Sequence, residues 1–234
     1  IRAGAAAIAY EGALTAELTD AISAAVSEQA DRKPPVLLRV SDARAAMSPA
    51  ASSFYGQPSR HLAVIGVTGT EGKSTMVWLI YRLLDLAGKK AGFFSTVDRR
   101  VGDRVEPNPK HQTTPEATTV HDLLARMAHQ GFRYAVVESS SHGLSPRTAR
   151  LADVHFDAGV MTNVRHEHLE FPCTWEQYRH DKANLFRALD AEVHSKTIAG
   201  EVVEVPSFGV VCIDDPRAAY FAGATTRPVY TYSA

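Results

Sequence analysis

From residue 61 onward, short apolar runs alternate with longer stretches of helical spacing. Residues 62–67, 92–97, 134–138, 158–163 and 207–213 read as strands. Residues 73–87, 115–129 and 174–189 read as helices, with Pro115 suited to a first helical turn and Thr174 with Gln177 forming a capping-box pattern. Residues 98–111 are polar, contain two prolines and predict a loop or hairpin. Short apolar strands alternating with helices define an α/β domain, a mostly parallel sheet with helices on both faces. Residues 1–59 read as the end of a separate, small α/β unit. Residues 3–10 are apolar, and Leu14, Leu18, Ile22 and Val26 keep helical spacing. Pro34 and Pro35 then break the chain, and 36–40 is a strand. Ser41 or Asp42 is placed to cap a helix over 43–54, and 56–59 reads as a linker. This part carries no visible chemistry.

The chemistry begins where the first strand of the larger domain meets its helix. Gly66-Val67-Thr68-Gly69-Thr70-Glu71-Gly72-Lys73-Ser74-Thr75 follows an apolar run and precedes the helical spacing of 76–86. Glycines let the backbone fold tightly, so that its N–H groups converge on an anion. The helix adds unpaired N–H groups and the positive end of its dipole. Lys73 supplies a point charge, and the Ser74 hydroxyl can hold a magnesium ion. Thr68 to Thr75 therefore form a candidate ATP cradle. The usual loop has a glycine where Val67 stands, and Glu71 puts a carboxylate beside the phosphates, which requires it to face solvent or a cation.

Composition narrows the class without adding a site. The 234 residues are 45% apolar and 22% charged, an ordinary globular balance. A formal net charge of −1 gives no bulk attraction to nucleic acid or membrane. Cys173 and Cys212 lack metal-ligand spacing and suit a reducing compartment. No apolar run approaches a membrane span and no signal peptide is visible, so a cytoplasmic protein without membrane insertion is expected, as a monomer. The chain opens in mid-pattern without Met and is expected to be a portion of a longer protein.

In open α/β sheets, ligands bind beyond the carboxyl ends of the strands. Four polar clusters fall there: 68–75, 138–142, 163–170 and Asp214-Asp215. One such cluster is as easily a solvated loop as a site. Four together beside a phosphate loop point to a site.

The motifs in these clusters carry a resemblance. Besides residues 66–75 they are Gln-Thr-Thr-Pro-Glu at 112–116, Glu-Ser-Ser-Ser-His-Gly-Leu at 138–144, Thr-Asn-Val-Arg-His-Glu-His-Leu-Glu at 162–170, Tyr-Arg-His-Asp-Lys at 178–182 and Asp-Asp-Pro at 214–216. In this order they resemble the Mur ligases, ATP-dependent amino-acid-adding enzymes of peptidoglycan synthesis, and among them the MurE branch. The resemblance covers roughly residues 60–220. It implies that 1–59 are part of an N-terminal uridine-nucleotide-binding domain and 60–234 an incomplete central ATP-binding domain. The C-terminal amino-acid-binding domain would be absent. The implied reaction phosphorylates the free carboxylate of UDP-N-acetylmuramoyl-L-alanyl-D-glutamate with ATP, and the amine of a third amino acid then displaces phosphate. The cofactors are ATP and Mg²⁺, and the partners are the UDP-muramoyl dipeptide and an amino acid.

Carried over residue by residue, the resemblance gives Lys73 to the β- and γ-phosphates, Ser74 and Glu138 to magnesium, and His168 to a second magnesium. Asn163 falls near the γ-phosphate. Lys182 is implied to be carbamylated and to help hold the second ion. Gln112, Thr113, Thr114, Ser140 and His142 are implied to hold the muramoyl peptide, with Arg147 first and Arg150 second as its phosphate contact. Departures from the branch are Glu71, the longer acids Glu167 and Glu170, Pro172-Cys173, Ser145 to Thr148, and an inserted hairpin at 193–206. Another Mur-type ligase, resembling folylpolyglutamate synthase or cyanophycin synthetase, a P-loop small-molecule kinase and a non-catalytic nucleotide-binding module stay open. The third amino acid, lysine, diaminopimelate or ornithine, is not readable.

Overall fold

The computed structural model describes residues 5–28, 34–109, 112–165, 174–191 and 194–233. Contacts divide the chain into two compact units, Ile1–Ala46 and Met47–Ala234.

In the first unit, β1 (Ala7–Glu11) and β2 (Val36–Val40) pair in parallel across the helix α1 (Ala16–Ser27). Thr15 caps α1, its hydroxyl accepting from Leu18 N at 3.2 Å. The expected helix over 43–54 starts four residues late. Asp42 accepts from Ala45 N at 2.8 Å and closes a turn of its own, so that α2 spans only Met47–Phe54.

That helix opens the second unit. Ser48, Ala51 and Ser52 are buried, and Ser48 Oγ lies 3.4 Å from His121 Nε2 of α4 (Ala117–His129). Residues 56–59 are not an open linker: Pro58–His61 forms a 3-10 turn with Pro58 and Ser59 buried. The remaining elements follow as β3 (Ala63–Thr68), α3 (Lys73–Leu86), β4 (Ala91–Phe94), β5 (Asp98–Arg100) and β6 (Glu106–Pro107). After α4 come β7 (Tyr134–Glu138), α5 (Ser141–Leu144), β8 (Ala158–Met161), α6 (Trp175–Ala191), β9 (Ser195–Ile198) and β10 (Glu201–Glu204). The unit ends with β11 (Phe208–Cys212), α7 (Ala218–Ala222) and β12 (Val229–Tyr232).

The eight-stranded sheet runs β12-β11-β8-β3-β7-β4-β5-β6. The first six are parallel, and β5 and β6 turn back antiparallel, the hairpin expected within 98–111. Two expectations shift at helix starts. Pro115 stands outside α4, whose N-cap is Glu116. Thr174 Oγ1 accepts from Gln177 N at 3.2 Å, but the Gln177 amide donates to Asp181 Oδ1 at 2.7 Å, so only half of the capping box forms.

Three in-register glycines set the height of α6 above the sheet. Gly66 of β3 pairs with Gly159 of β8, which pairs with Gly209 of β11. A Cβ on Gly66 would stand 2.4 Å from Leu185 Cδ1, and one on Gly209 2.8 Å from Phe186 Cε1. The row is a trough into which Leu185 and Phe186, both fully buried, are pressed. Aligned strand ends complete the arrangement: Val67 pairs with Glu138, and Thr68 with Met161, so the loops that follow β3, β7 and β8 leave along one edge.

At the opposite edge, the β9–β10 hairpin is tied down by ions. The Lys196 ammonium donates to the carbonyls of Ser59 (2.9 Å), Leu62 (3.0 Å) and His155 (2.7 Å), and to Asp157 Oδ2 (2.5 Å). Asp157 Oδ2 also accepts from Val64 N at 2.7 Å, and its Oδ1 lies 3.0 Å from His194 Nδ1.

Candidate active site

The phosphate loop leaves β3 and folds back against the loop after β8. Gly69 has φ 155°, and a Cβ there would lie 1.9 Å from Thr162 Oγ1, so only glycine fits between the two loops. Thr70 N donates to Asn163 O (2.7 Å) and Glu71 N to Asn163 Oδ1 (3.0 Å), while Asn163 Nδ2 and Thr162 Oγ1 both donate to Glu71 O. Asn163 thus grips the loop backbone from both sides of its amide. Gly72, at φ 73°, is the N-cap of α3, which begins at Lys73. The Lys73 ammonium donates to Thr70 O at 2.8 Å. Glu71 is exposed and pairs with the exposed Arg165 at 3.4 Å, the cation that its position required. Thr68 is fully buried, and its Oγ1 is without a hydrogen-bond partner. Thr75 lies exposed on the first turn of α3.

Glu138, at the end of β7, is 1% exposed and densely bonded. Its Oε2 accepts from Ser74 Oγ (2.8 Å) and Thr96 N (2.7 Å), and Thr96 Oγ1 lies 3.1 Å from Oε1. The same Thr96 hydroxyl is 2.9 Å from Thr113 Oγ1. A second hydroxyl cluster adjoins it. Thr114 Oγ1 donates to Glu138 O (3.2 Å) and accepts from Ser140 N (3.1 Å) and Ser140 Oγ (2.9 Å). Ser140 Oγ in turn caps α5 by accepting from Gly143 N. Ser74, Glu138, Thr113, Thr114 and Ser140 are therefore one network. Gln112 borders it, its carbonyl accepting from Asn108 Nδ2 at 3.2 Å. His142 is half-buried on α5, and its carbonyl accepts from Thr148 Oγ1. The two arginines differ. Arg150 is engaged, donating to Thr114 O at 2.8 Å and pairing with Glu116, whereas Arg147 is exposed.

The trough beneath α6 brings Lys182 to the same place. It is 2% exposed and donates to Gly69 O at 2.6 Å, with the Tyr178 ring centroid 4.4 Å from its nitrogen. Burial, and then the neighbouring Lys73 charge, hold its pKa well below the ordinary lysine value against the opposing pull of Glu138. His168, together with Glu167, Glu170, Pro172 and Cys173, lies outside the described residues. Among the described residues, no group of three or more His, Cys, Asp or Glu forms a metal cage. The oxygen donors of Ser74 and Glu138, already 2.8 Å apart, are of the kind magnesium takes.

Residues whose roles were not anticipated from sequence complete the site. Thr162 locks the loop, Tyr178 OH stands 3.2 Å from Thr70 Oγ1, and Asp215 Oδ2 accepts from Val164 N at 2.7 Å, joining the loops after β8 and β11. Asp215 had a signal in its strand-end position, and Thr162 and Tyr178 in the motifs at 162–170 and 178–182, though none had a stated role; Thr96 had no signal, since it acts on Glu138 across 42 residues of sequence.

Fold and loop define an α/β domain with a glycine-rich, P-loop-like turn between β3 and α3. The description "Mur ligase middle domain" matches residues 67–234, and the chain belongs to the Mur ligase family. It is 52% identical over 233 residues to a UDP-N-acetylmuramyl-tripeptide synthetase of Treponema denticola, covering 100% of this chain and 40% of that protein. The protein of the same name from Treponema pallidum is 57% identical over 194 residues, covering 83% of this chain and 35% of that one. The chain thus spans well under half the length of these relatives. A solved UDP-N-acetylmuramoyl-L-alanyl-D-glutamate–2,6-diaminopimelate ligase superposes with a TM-score of 0.65 at 22% identity, over 96% of this chain and 45% of that chain, and so shares the fold. No described helix is long and apolar enough to cross a membrane.

Proposed function

We propose that this chain holds the nucleotide and acid-substrate centre of an ATP-dependent ligase of peptidoglycan precursor synthesis. It would add the third amino acid to UDP-N-acetylmuramoyl-L-alanyl-D-glutamate. The observation that carries the reading is the meeting of the phosphate loop, the Ser74–Glu138 pair and the buried Lys182 amine beside the Thr113, Thr114 and Ser140 hydroxyls. The names borne by the Treponema relatives support the substrate. Uridine-nucleotide contacts are assigned to the first unit. The amine site is assigned to the length of the relatives that this chain does not cover.

In this reading Lys73 and the loop N–H groups bind the β- and γ-phosphates, and Ser74, Glu138 and His168 hold Mg²⁺. Bound Mg²⁺ offsets the repulsion between the phosphate and the attacking carboxylate. Thr113, Thr114, Ser140, Gln112 and His142 orient the acid, with Arg147, exposed and outward, as its phosphate contact. A carboxylate oxygen bonds to the γ-phosphorus as the bond to ADP breaks. The amine nitrogen then bonds to the acyl carbon as the acyl–oxygen bond to phosphate breaks, and the nitrogen gives up one proton, carried off by the released phosphate or solvent. Lys182, favoured as a neutral amine by its burial and by Lys73, would add CO₂: an N–C bond forms, a proton leaves to solvent, and a negative oxygen ligand replaces the neutral amine.

The test is phosphate release in the protein at the full length of its relatives. Release should require both the UDP-muramoyl dipeptide and an amino acid. Transfer to an acceptor without any amine would favour a P-loop kinase instead. Lys182→Ala should lose turnover and regain part of it with short-chain carboxylates; unchanged turnover would overturn the Lys182 assignment.

A further inference from the structure

The corner between β4 and β5 holds a residue with no role so far. Thr96 touches Glu138 twice, through its main-chain N–H to Oε2 (2.7 Å) and its hydroxyl at 3.1 Å from Oε1. The same hydroxyl reaches Thr113 Oγ1 at 2.9 Å. We propose that Thr96 is a positioning residue that couples the acid-binding loop at Thr113 to the cation-binding carboxylate of Glu138. This rests on the ligase reading of the site.

The argument is one of proton count. A hydroxyl has one proton to donate, and a carboxylate oxygen only accepts. Thr96 Oγ1 stands as donor to both Thr113 Oγ1 and Glu138 Oε1, so its single proton is divided between two acceptors, one in the acid-binding loop and one on the carboxylate. With Ser74 Oγ and Thr96 N both on Oε2, the Thr96 hydroxyl is what holds Oε1 and so fixes the plane of the carboxylate. Any group that bonds the Thr113 hydroxyl, such as an acid substrate, changes how strongly Thr113 Oγ1 competes for the Thr96 proton and so alters the donor strength seen by Oε1. Cation affinity and occupancy of the acid site become linked through one side chain.

Substitution separates the two grips. The main-chain bond survives any side chain, whereas the hydroxyl bonds do not. Thr96→Val should weaken Mn²⁺ binding in the presence of ADP about tenfold or more, the effect of losing one hydrogen bond to a charged group. Thr96→Ser should restore it. Thr113→Val frees the Thr96 proton for Glu138; it should change Mn²⁺ binding a few-fold in the parent and change nothing in Thr96→Val, a non-additive cycle. The readout is Mn²⁺ binding followed by electron paramagnetic resonance on the protein at the full length of its relatives, without turnover, with urea unfolding to show that each variant is folded. Parent-like Mn²⁺ affinity in folded Thr96→Val overturns the proposal alone, as does a Thr96→Ser as weak as the valine variant. Absence of Mn²⁺–ADP binding in the full-length parent protein overturns the ligase reading and this proposal with it. If Thr96→Val does not fold, Thr113→Val decides, and unchanged Mn²⁺ affinity there overturns the coupling.

Discussion

Two buried lysines stand at opposite edges of the same sheet, each 2% exposed. Lys196 donates to three carbonyls and the Asp157 carboxylate, more acceptors than an ammonium has protons. Lys182 donates to one carbonyl, that of Gly69, and faces the charge of Lys73. The first cation is compensated by the fold. The second is held where its charge is disfavoured, an arrangement that costs stability and is typical of reactive groups. Burial alone therefore says little about a lysine; its acceptors say whether it ties structure together or waits for chemistry.

That contrast breaks most directly at Lys196. Lys196→Met leaves Asp157 buried without its main counter-charge and should cost about 3–5 kcal/mol in urea unfolding. A loss below about 1 kcal/mol would show that the pair is ornamental. Lys182→Met should behave in the opposite sense: turnover in the full-length protein falls roughly 10²-fold or more, by analogy with single electrostatic groups, while the fold gains stability at neutral pH. The sign follows from linkage. Below the ordinary lysine value the unfolded chain binds a proton that the folded Lys182 resists, so parent stability rises with pH from the lowered value up to 10.5. The advantage of the methionine variant should shrink over that window; an advantage constant with pH would contradict the assignment.

His121 sharpens the comparison as a buried base without functional company. Burial pushes its pKa down from 6.5 to about 4, with Asp153 opposing and His155 assisting. The folded ring resists a proton that the unfolded chain accepts, so stability is complete above pH 6.5 and falls by about 3 kcal/mol as pH drops to 4. Urea midpoints against pH should show this slope in the parent and a shallower one in His121→Gln. The smallest effect lies in the hairpin that carries Lys196. Ala199 and Gly200 have successive positive φ values, 53° and 83°, between β9 and β10. Ala199→Asn should stabilise by up to about 1 kcal/mol, because asparagine tolerates that conformation better.

The phosphate loop and Glu138 were readable because strand, glycines, lysine and hydroxyls are contiguous, and because parallel sheets expose their carboxyl ends. The hairpin at 193–206 was readable as an insertion, but the role of Lys196 was not, since its acceptors lie at 59, 62, 155 and 157. Thr96 was read as the end of a strand. The backbone leaves β4 at Phe94, and Thr96 became a contact of Glu138 only when the sheet placed β4 beside β7. Four-residue α5 and five-residue α7 are shorter than the window in which helical spacing can be recognised. Edge strand β12 is only four residues, Val-Tyr-Thr-Tyr, too short for its alternation to stand out, although Gly223 and Pro228 precede it.

The glycine row beneath α6 has a consequence for variation. Gly66, Gly159 and Gly209 act as a gauge block, a set thickness rather than a set of contacts. Lys182 is one turn of helix from Leu185, so any thickening of the sheet under that turn is transmitted to the 2.6 Å separation between its nitrogen and Gly69 O. A methyl group at Gly66 or Gly209 would press on Leu185 or Phe186, and the turn of α6 that carries Lys182 would have to accommodate it. The tolerance of the site is thus written in residues that have no side chain and lie at none of its surfaces.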